Sequence, residues 1–234
     1  MFEDEPPKAI KLGMLTSAST IHAISNFFEK LSSKPPIILD PVMFSTSGHT
    51  LLPDDAIDVI KAELLSVVDW LTPNIPEAQR LAAWEGQLSG LDDMIRLAEK
   101  VAAVCDVPMV LLKGGHLAVS REEVTAIDGE FAVFWDEGDD NGDAIEVLNG
   151  FRRHMAAIGD GKEWEKVVVD ILVRRGQKRH SLFVGRRIES LSTHGTGCTL
   201  ASALACAWAI EPNGSPSDGE ARVGLAYSGA LIQN

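Results

Sequence analysis

The stretch Thr193-His194-Gly195-Thr196-Gly197-Cys198-Thr199 carries residue types suited to chemistry on an anion. Its two glycines let backbone amides face outward with no Cβ in the way. The run from Leu200 to Ile210 is apolar and rich in small residues, the composition of a helix packed closely on a sheet. A helix N-terminus has unpaired N–H groups and a positive dipole end, so this junction suits a phosphoryl group in transfer. Cys198 lies in the same field, which predicts a thiolate. Read alone, the turn is equally a plain helix entry, and a lone cysteine is more often a small buried hydrophobe.

Three further polar positions bear on that choice. Asp40, Asn74 and Lys113 each stand at or just past the end of a short apolar run, as the turn does. In an open parallel sheet, ligands bind beyond the carboxyl ends of the strands. Asp40 precedes Pro41 and reads either as a turn initiator or as a carboxylate that helps hold Mg²⁺ against a triphosphate. Asn74 and Glu77 have capping-box spacing, with Asn74 as N-cap and Glu77 reaching back. Such a cap also fixes a carboxylate near the site. Lys113, followed by two glycines, is a solvated lysine or a flexible point charge that neutralises a transferring group.

The elements that must position these residues follow from periodicity. Ala9 to Leu15 reads as a strand, and Ser19 to Leu31 as a helix with Ile21, Ile24, Phe27, Phe28 and Leu31 on one face. Pro35 and Pro36 break the chain before the apolar strand Ile37 to Asp40, of the kind buried on both faces. A helix begins near Asp54, a strand runs from Val67 to Leu71, and the Thr72 to Glu77 segment opens another helix. Leu91 to Cys105 forms a helix and Met109 to Leu112 a strand. This alternation predicts an α/β fold: three layers, a mostly parallel sheet and helices on both faces. From Val119 the pattern falters. Phe131 to Trp135 reads as a hairpin strand, and Asp136 to Asp143 as a mobile acidic loop. Val167 to Leu172 and Ser181 to Val184 form a hairpin, and a last helix runs from Asp218 to Ile232. The expectation is one domain over residues 1–234, with an acidic insertion from Val119 to Lys166.

Composition narrows the function classes. The chain has 234 residues, enough for a full core in one α/β domain. Its net charge of −13 argues against nucleic-acid binding, which wants a basic surface. Much of that acidity is local, since Val119 to Lys166 holds 13 acidic and 5 basic residues. Three cysteines with no Cys-x-x-Cys pair fit a reducing compartment and no structural zinc. The six scattered histidines show no metal-ligand spacing, so His116 and His194 read as polar lining. No apolar run approaches the ~20 residues of a membrane helix, and no targeting segment follows Met1. The expected location is cytoplasmic.

Several strings together resemble one family. His194-Gly195-Thr196-Gly197-Cys198-Thr199-Leu200, Ile38-Leu39-Asp40-Pro41-Val42-Met43, Thr72-Pro73-Asn74-Ile75-Pro76-Glu77-Ala78 and Val110-Leu111-Leu112-Lys113-Gly114-Gly115-His116 are similar to segments of the hydroxymethylpyrimidine and phosphomethylpyrimidine kinases. These belong to the thiamine pathway and the ribokinase-like superfamily, where most sugar kinases carry Asp at the position of Cys198. Val169-Asp170-Ile171-Leu172 resembles a further strand of the family. The resemblance implies ATP and Mg²⁺ as cofactors and a small pyrimidine as substrate. Cys198 and Lys113 would be catalytic, and Gly195, Thr196, Gly197 and Asn74 would hold phosphate. Met14 and Val42 would line the pyrimidine pocket, and Asp40 and Glu77 would face the metal.

The chain departs from the family where its N-terminal strand and Ser-Gly-Gly-Ala-Gly segment would be. That departure predicts an exposed sheet edge and self-association, in its simplest form a homodimer. It also keeps two rivals open: a remnant that binds nucleotide or a partner without turnover, and a pyridoxal kinase of the same superfamily.

Overall fold

Four short strands set the frame: β1 (Ile10–Leu12), β2 (Ile37–Leu39), β3 (Trp70–Leu71) and β4 (Met109–Leu112). They lie side by side in chain order and all parallel. The computed structural model describes residues 5–45, 49–115, 117–127, 131–135, 166–178, 180–186, 196–210 and 223. Beyond β4 the sheet becomes mixed. The remaining strands are β5 (Val119–Ser120), β6 (Phe131–Trp135), β7 (Lys166–Arg174) and β8 (His180–Arg186). Strand β7 runs antiparallel to β4, β8 antiparallel to β7, and β6 parallel to β8, while β5 pairs with the start of β7. The path across the sheet is β1-β2-β3-β4-β7-β8-β6, so β1 is one edge among the described residues.

Among the described residues the helices are α1 (Ala18–Glu29), α2 (Asp54–Val59), α3 (Ile75–Leu81), α4 (Leu91–Cys105), α5 (Arg121–Thr125) and α6 (Thr196–Ile210). Alternation along the strands divides the core in two. Ile37, Leu39, Leu71, Val110 and Leu112 pack with Ile21 and Phe28 of α1 and with Met94, Leu97 and Val101 of α4. Ile38, Trp70, Met109 and Leu111 pack instead with Leu200, Ala201 and Leu204 of α6. The expected three layers are therefore present, with α1 and α4 on one side of the sheet and α6 on the other. No helix among the described residues is long and apolar enough to cross a membrane.

The structure departs from the periodicity reading in three places. After α2 the chain tightens through a π turn (Ile60–Leu64) and a 3₁₀ turn (Leu65–Val67), and β3 starts only at Trp70. Leu64, Leu65, Val67 and Val68 are all buried, so an unbroken apolar run concealed the change from helix to strand. The second departure is α5, where order was expected to fail. Ser120 caps it by accepting from the Glu123 amide at 3.1 Å, and Glu123 also accepts from Leu91 N at 3.2 Å, tying α5 to the start of α4. Third, among the described residues β6 has no antiparallel hairpin partner. It pairs with β8 in parallel, Phe131 opposite His180. The acidic loop from Asp136 to Asp143 and nearly all of the expected last helix, from Asp218 to Ile232, lie outside the described residues.

Leu39 has no exposed surface and sits at the centre of the larger core. Replacing it with alanine should cost about 2–5 kcal/mol in urea unfolding followed by circular dichroism. Val104→Ala, on the outer face of α4 and 55% exposed, should stay within about 0.5 kcal/mol in the same assay.

Candidate active site

The division of faces carries on past the strand ends. Asp40 is two residues beyond Ile38, and Lys113 is two beyond Leu111, so both side chains emerge on the α6 face at the carboxyl end of the sheet. Asp40 is 2% exposed, and Lys113 Nζ lies 2.8 Å from its Oδ1. Strands β2 and β4 are separated by β3, a span of about 10 Å, which the long lysine stem crosses. The backbone holds both ends. Asp40 N donates to Leu12 O at 2.9 Å, Lys113 N donates to Pro73 O at 2.8 Å, and Lys113 bridges Asn74 in parallel.

The lysine turn is fixed from behind by a residue to which no role had been assigned. Gly114 N donates to Asp170 Oδ1 of β7 at 2.7 Å. A Cβ on Gly114 would overlap the Val169 carbonyl oxygen and approach Met94 Cε to 2.6 Å. Gly114 therefore serves close approach of two backbones. Gly115 has open space around it.

The capping box on α3 is formed as its spacing predicts. Asn74 Oδ1 accepts from Glu77 N at 2.9 Å, and Glu77 Oε2 accepts from Asn74 N at 2.8 Å. Glu77 Oε1 also receives Met43 N at 3.5 Å, so the glutamate ties the segment after β2 to the head of α3. Glu77 is 3% exposed. Burial pushes its carboxyl above the usual range against the opposing pull of Lys113 and the Asn74 N–H, and the Asp40 charge pushes it further up.

The head of α6 closes the group. A Cβ on Gly197 would sit 2.9 Å from Lys113 Nζ, so this glycine makes room for the ammonium. Cys198 follows, exposed, with its carbonyl accepting from Ser202 Oγ at 2.8 Å. Its thiol is held above the ordinary value, which overturns the expected thiolate. Burial is the largest cause, then the Asp40 charge; Lys11 pulls the other way, a hydrogen bond to Asp40 adds to the rise, and Lys113 offsets part of it. The helix end favours the anion, yet the thiol stays protonated, with burial the largest cause and the Asp40 charge the next.

Lys113, Asp40, Asn74, Glu77, Gly197 and Cys198 thus come together at one end of the sheet. Thr196 opens α6. Gly195, with Thr193, His194 and His116, lies outside the described residues. Met14 is 59% exposed beyond β1, and Val42 is half-buried after Pro41, its N–H donating to Asp40 O at 2.9 Å. Lys11, whose ammonium takes the space where a Cβ on Gly13 would stand, had been read only as part of a strand. A charged residue inside an otherwise apolar strand was the available signal.

Two tests follow from this geometry. Gly114→Ala should destabilise the fold by about 1–3 kcal/mol, because a carbonyl oxygen must move, whereas Gly115→Ala should change it by no more than about 0.5 kcal/mol. Alkylation of Cys198 by iodoacetamide, followed by mass spectrometry with Cys206→Ser, should show a rate still rising where an unstructured peptide thiol has levelled off. Asp40→Asn should move that profile to lower pH. Cys105 does not interfere, since burial pushes its thiol up to about 11.

Known proteins share the fold and much of the sequence. The chain matches the family model for phosphomethylpyrimidine kinase over residues 1–141 and 140–217. A hydroxymethylpyrimidine/phosphomethylpyrimidine kinase of Saccharomyces cerevisiae is 30% identical over 207 residues, which is 87% of this chain and 29% of that protein. The chain therefore spans less than a third of this curated relative. The crystal structure of phosphomethylpyrimidine kinase from Clostridium difficile superimposes with a TM-score of 0.59 at 27% identity, over 99% of this chain and 70% of the other. The pyridoxal kinase from Staphylococcus aureus, solved with AMP-PCP and pyridoxal, shares the fold at 21% identity and a TM-score of 0.59, over 94% of this chain and 59% of that one. With the family model matched along most of its length and the motif residues gathered at one end of the sheet, the chain belongs to the phosphomethylpyrimidine kinase family.

Proposed function

We propose that the chain transfers the terminal phosphoryl group of ATP to the hydroxymethyl oxygen of a pyrimidine, or to the phosphate of its monophosphate, in thiamine diphosphate biosynthesis. The observation that carries this reading is the Lys113–Asp40 pair lying against Gly197 and Cys198 at the head of α6. Phosphoryl transfer asks little covalent chemistry of a protein; it asks for position and for compensation of moving charge. Lys113 supplies a partly buried positive charge, held by Asp40 so that its ammonium meets the transferring group without reorganising. The amides of Gly195, Thr196 and Gly197 would stabilise the charge that develops on the phosphoryl oxygens. Asn74 would hold the nucleotide phosphates from the head of α3.

Cys198 stands beside the acceptor oxygen in this reading. Its raised pKa favours a neutral thiol that orients the acceptor and shares its proton with Asp40 over a resident thiolate base. Asp40 and Glu77 lie close enough for their charges to interact, and both are oxygen donors suited to Mg²⁺. Among the described residues no group of three candidate ligands could cage an ion by itself. That donor set fits an ion carried in by the nucleotide, since Mg²⁺ keeps several waters and takes one or two carboxylates alongside phosphate. When bound, Mg²⁺ would neutralise charge on the phosphates.

Assay of ATP with hydroxymethylpyrimidine and with its monophosphate tests the proposal: product with either is expected, and nucleotide binding without product from both would overturn it. Cys198→Ala should lower kcat by about 100-fold while leaving the Kd for ATP nearly unchanged. An equal loss of both would make the residue structural.

A further inference from the structure

Lys11 has no part in the steps above, yet it stands at the same site. Ile10 and Leu12 pack toward the larger core and Ala9 toward the smaller one, so alternation puts Lys11 on the α6 face. Helix α6 packs against both β1 and β2. Lys11 is paired with Ile38, Leu12 is paired with Leu39, and one further step sets Gly13 beside Asp40. The lysine stem runs up this face, and its Nζ ends in the space that a Cβ on Gly13 would fill. The ammonium therefore arrives at the level of Asp40 from the β1 side, while Lys113 arrives from the β4 side and sits where a Cβ on Gly197 would be. Each cation is accommodated by a missing side chain. The difference is that Lys113 is engaged by Asp40, whereas no carboxylate among the described residues lies within ion-pair distance of Lys11. The Lys11 charge is also felt at the Cys198 sulfur.

We propose that Lys11 binds the phosphate of a phosphomonoester acceptor, and so supports the second of two successive phosphorylations at one site. This rests on the function proposed above. An alcohol acceptor reaches the triphosphate uncharged and must give up a proton as its oxygen bonds to the γ-phosphorus. A phosphate acceptor needs no base. Its oxygen forms the new P–O bond, the bond from the γ-phosphorus to the bridging oxygen breaks, and ADP leaves with the electron pair. Its obstacle is repulsion between two anions brought within a few ångströms, which is severe away from bulk water. A cation on the acceptor side, separate from the one serving the donor, removes that obstacle. An ammonium with no carboxylate partner among the described residues is available to do so.

The test compares wild type with Lys11→Met on both acceptors. With the pyrimidine monophosphate, kcat/KM should fall by about 10- to 100-fold, chiefly through KM. With unphosphorylated hydroxymethylpyrimidine it should change by no more than about threefold. Lys11→Arg should recover most of the loss with the monophosphate, because the positive charge is kept. Equal losses with the two acceptors, or none with the monophosphate, would overturn the assignment. If the wild-type chain turned over neither acceptor, the proposed function would fall, and calorimetric titration would still decide Lys11. Tighter binding of the monophosphate to wild type than to Lys11→Met supports the assignment; equal affinity overturns it.

Discussion

A carboxylate with almost no exposed surface must be paired, and in this molecule Asp40 is paired across an intervening strand by Lys113. That requirement organises the carboxyl end of the sheet. Meeting it fixes β2 and β4 relative to each other and sets the turn after β4. Gly114 then has to lie directly against the backbone of β7, where Asp170 receives its amide. It also favours a glycine at the head of α6, since a Cβ at residue 197 would come within 2.9 Å of the ammonium and make the lysine tip shift. Removing either partner would leave a charge buried alone, which is far costlier than losing an exposed ion pair.

The glycines near the site make sense on the same terms. None of Gly13, Gly114 and Gly197 is among the described residues with positive φ, so left-handed backbone is not what calls for glycine there. Two of them leave room for lysine ammonium groups and the third for a carbonyl oxygen. Small residues at a charged site thus admit long, flexible cations to positions near the strand ends while the strands stay in register. The Cys198 sulfur lies between opposing influences: the α6 dipole and two lysines favour the anion, and burial and Asp40 favour the thiol. A helix terminus alone pointed to a thiolate, because it takes no account of burial, the largest cause of the rise, or of the Asp40 charge beside the sulfur.

Regular elements were most legible where a pattern and its punctuation agreed. Leu91–Cys105 and Met109–Leu112 form as read, and the spacing of Asn74 and Glu77 marks the start of α3. The reading failed where burial alone governs. The run through Leu65, Val67 and Val68 is buried both in its 3₁₀ turn and beyond it, so hydrophobicity does not mark the boundary. Short elements such as α5 depend on a cap that also reaches Leu91, a contact between residues distant in sequence. The pairing of β6 with β8 likewise depends on where β7 lies, and no local pattern encodes that.

For the site, residue types and their places after apolar runs were enough to single out Asp40, Asn74, Glu77, Lys113 and the turn at Cys198. Each stands where a strand ends or a helix begins, and those positions follow from local periodicity. The sequence by itself therefore determined the α/β class, the end of the sheet where these residues gather and the motifs that identify the family. Tertiary structure alone decided which charges meet. That Lys113 reaches Asp40 across β3, that Asp170 anchors Gly114, and that Lys11 emerges beside Gly13 on the α6 face are matters of register and facing between segments far apart in the chain. The protonation state of Cys198 belongs to the same group, because a pKa is set by the charges and the solvent around a group in space, whatever its neighbours in sequence.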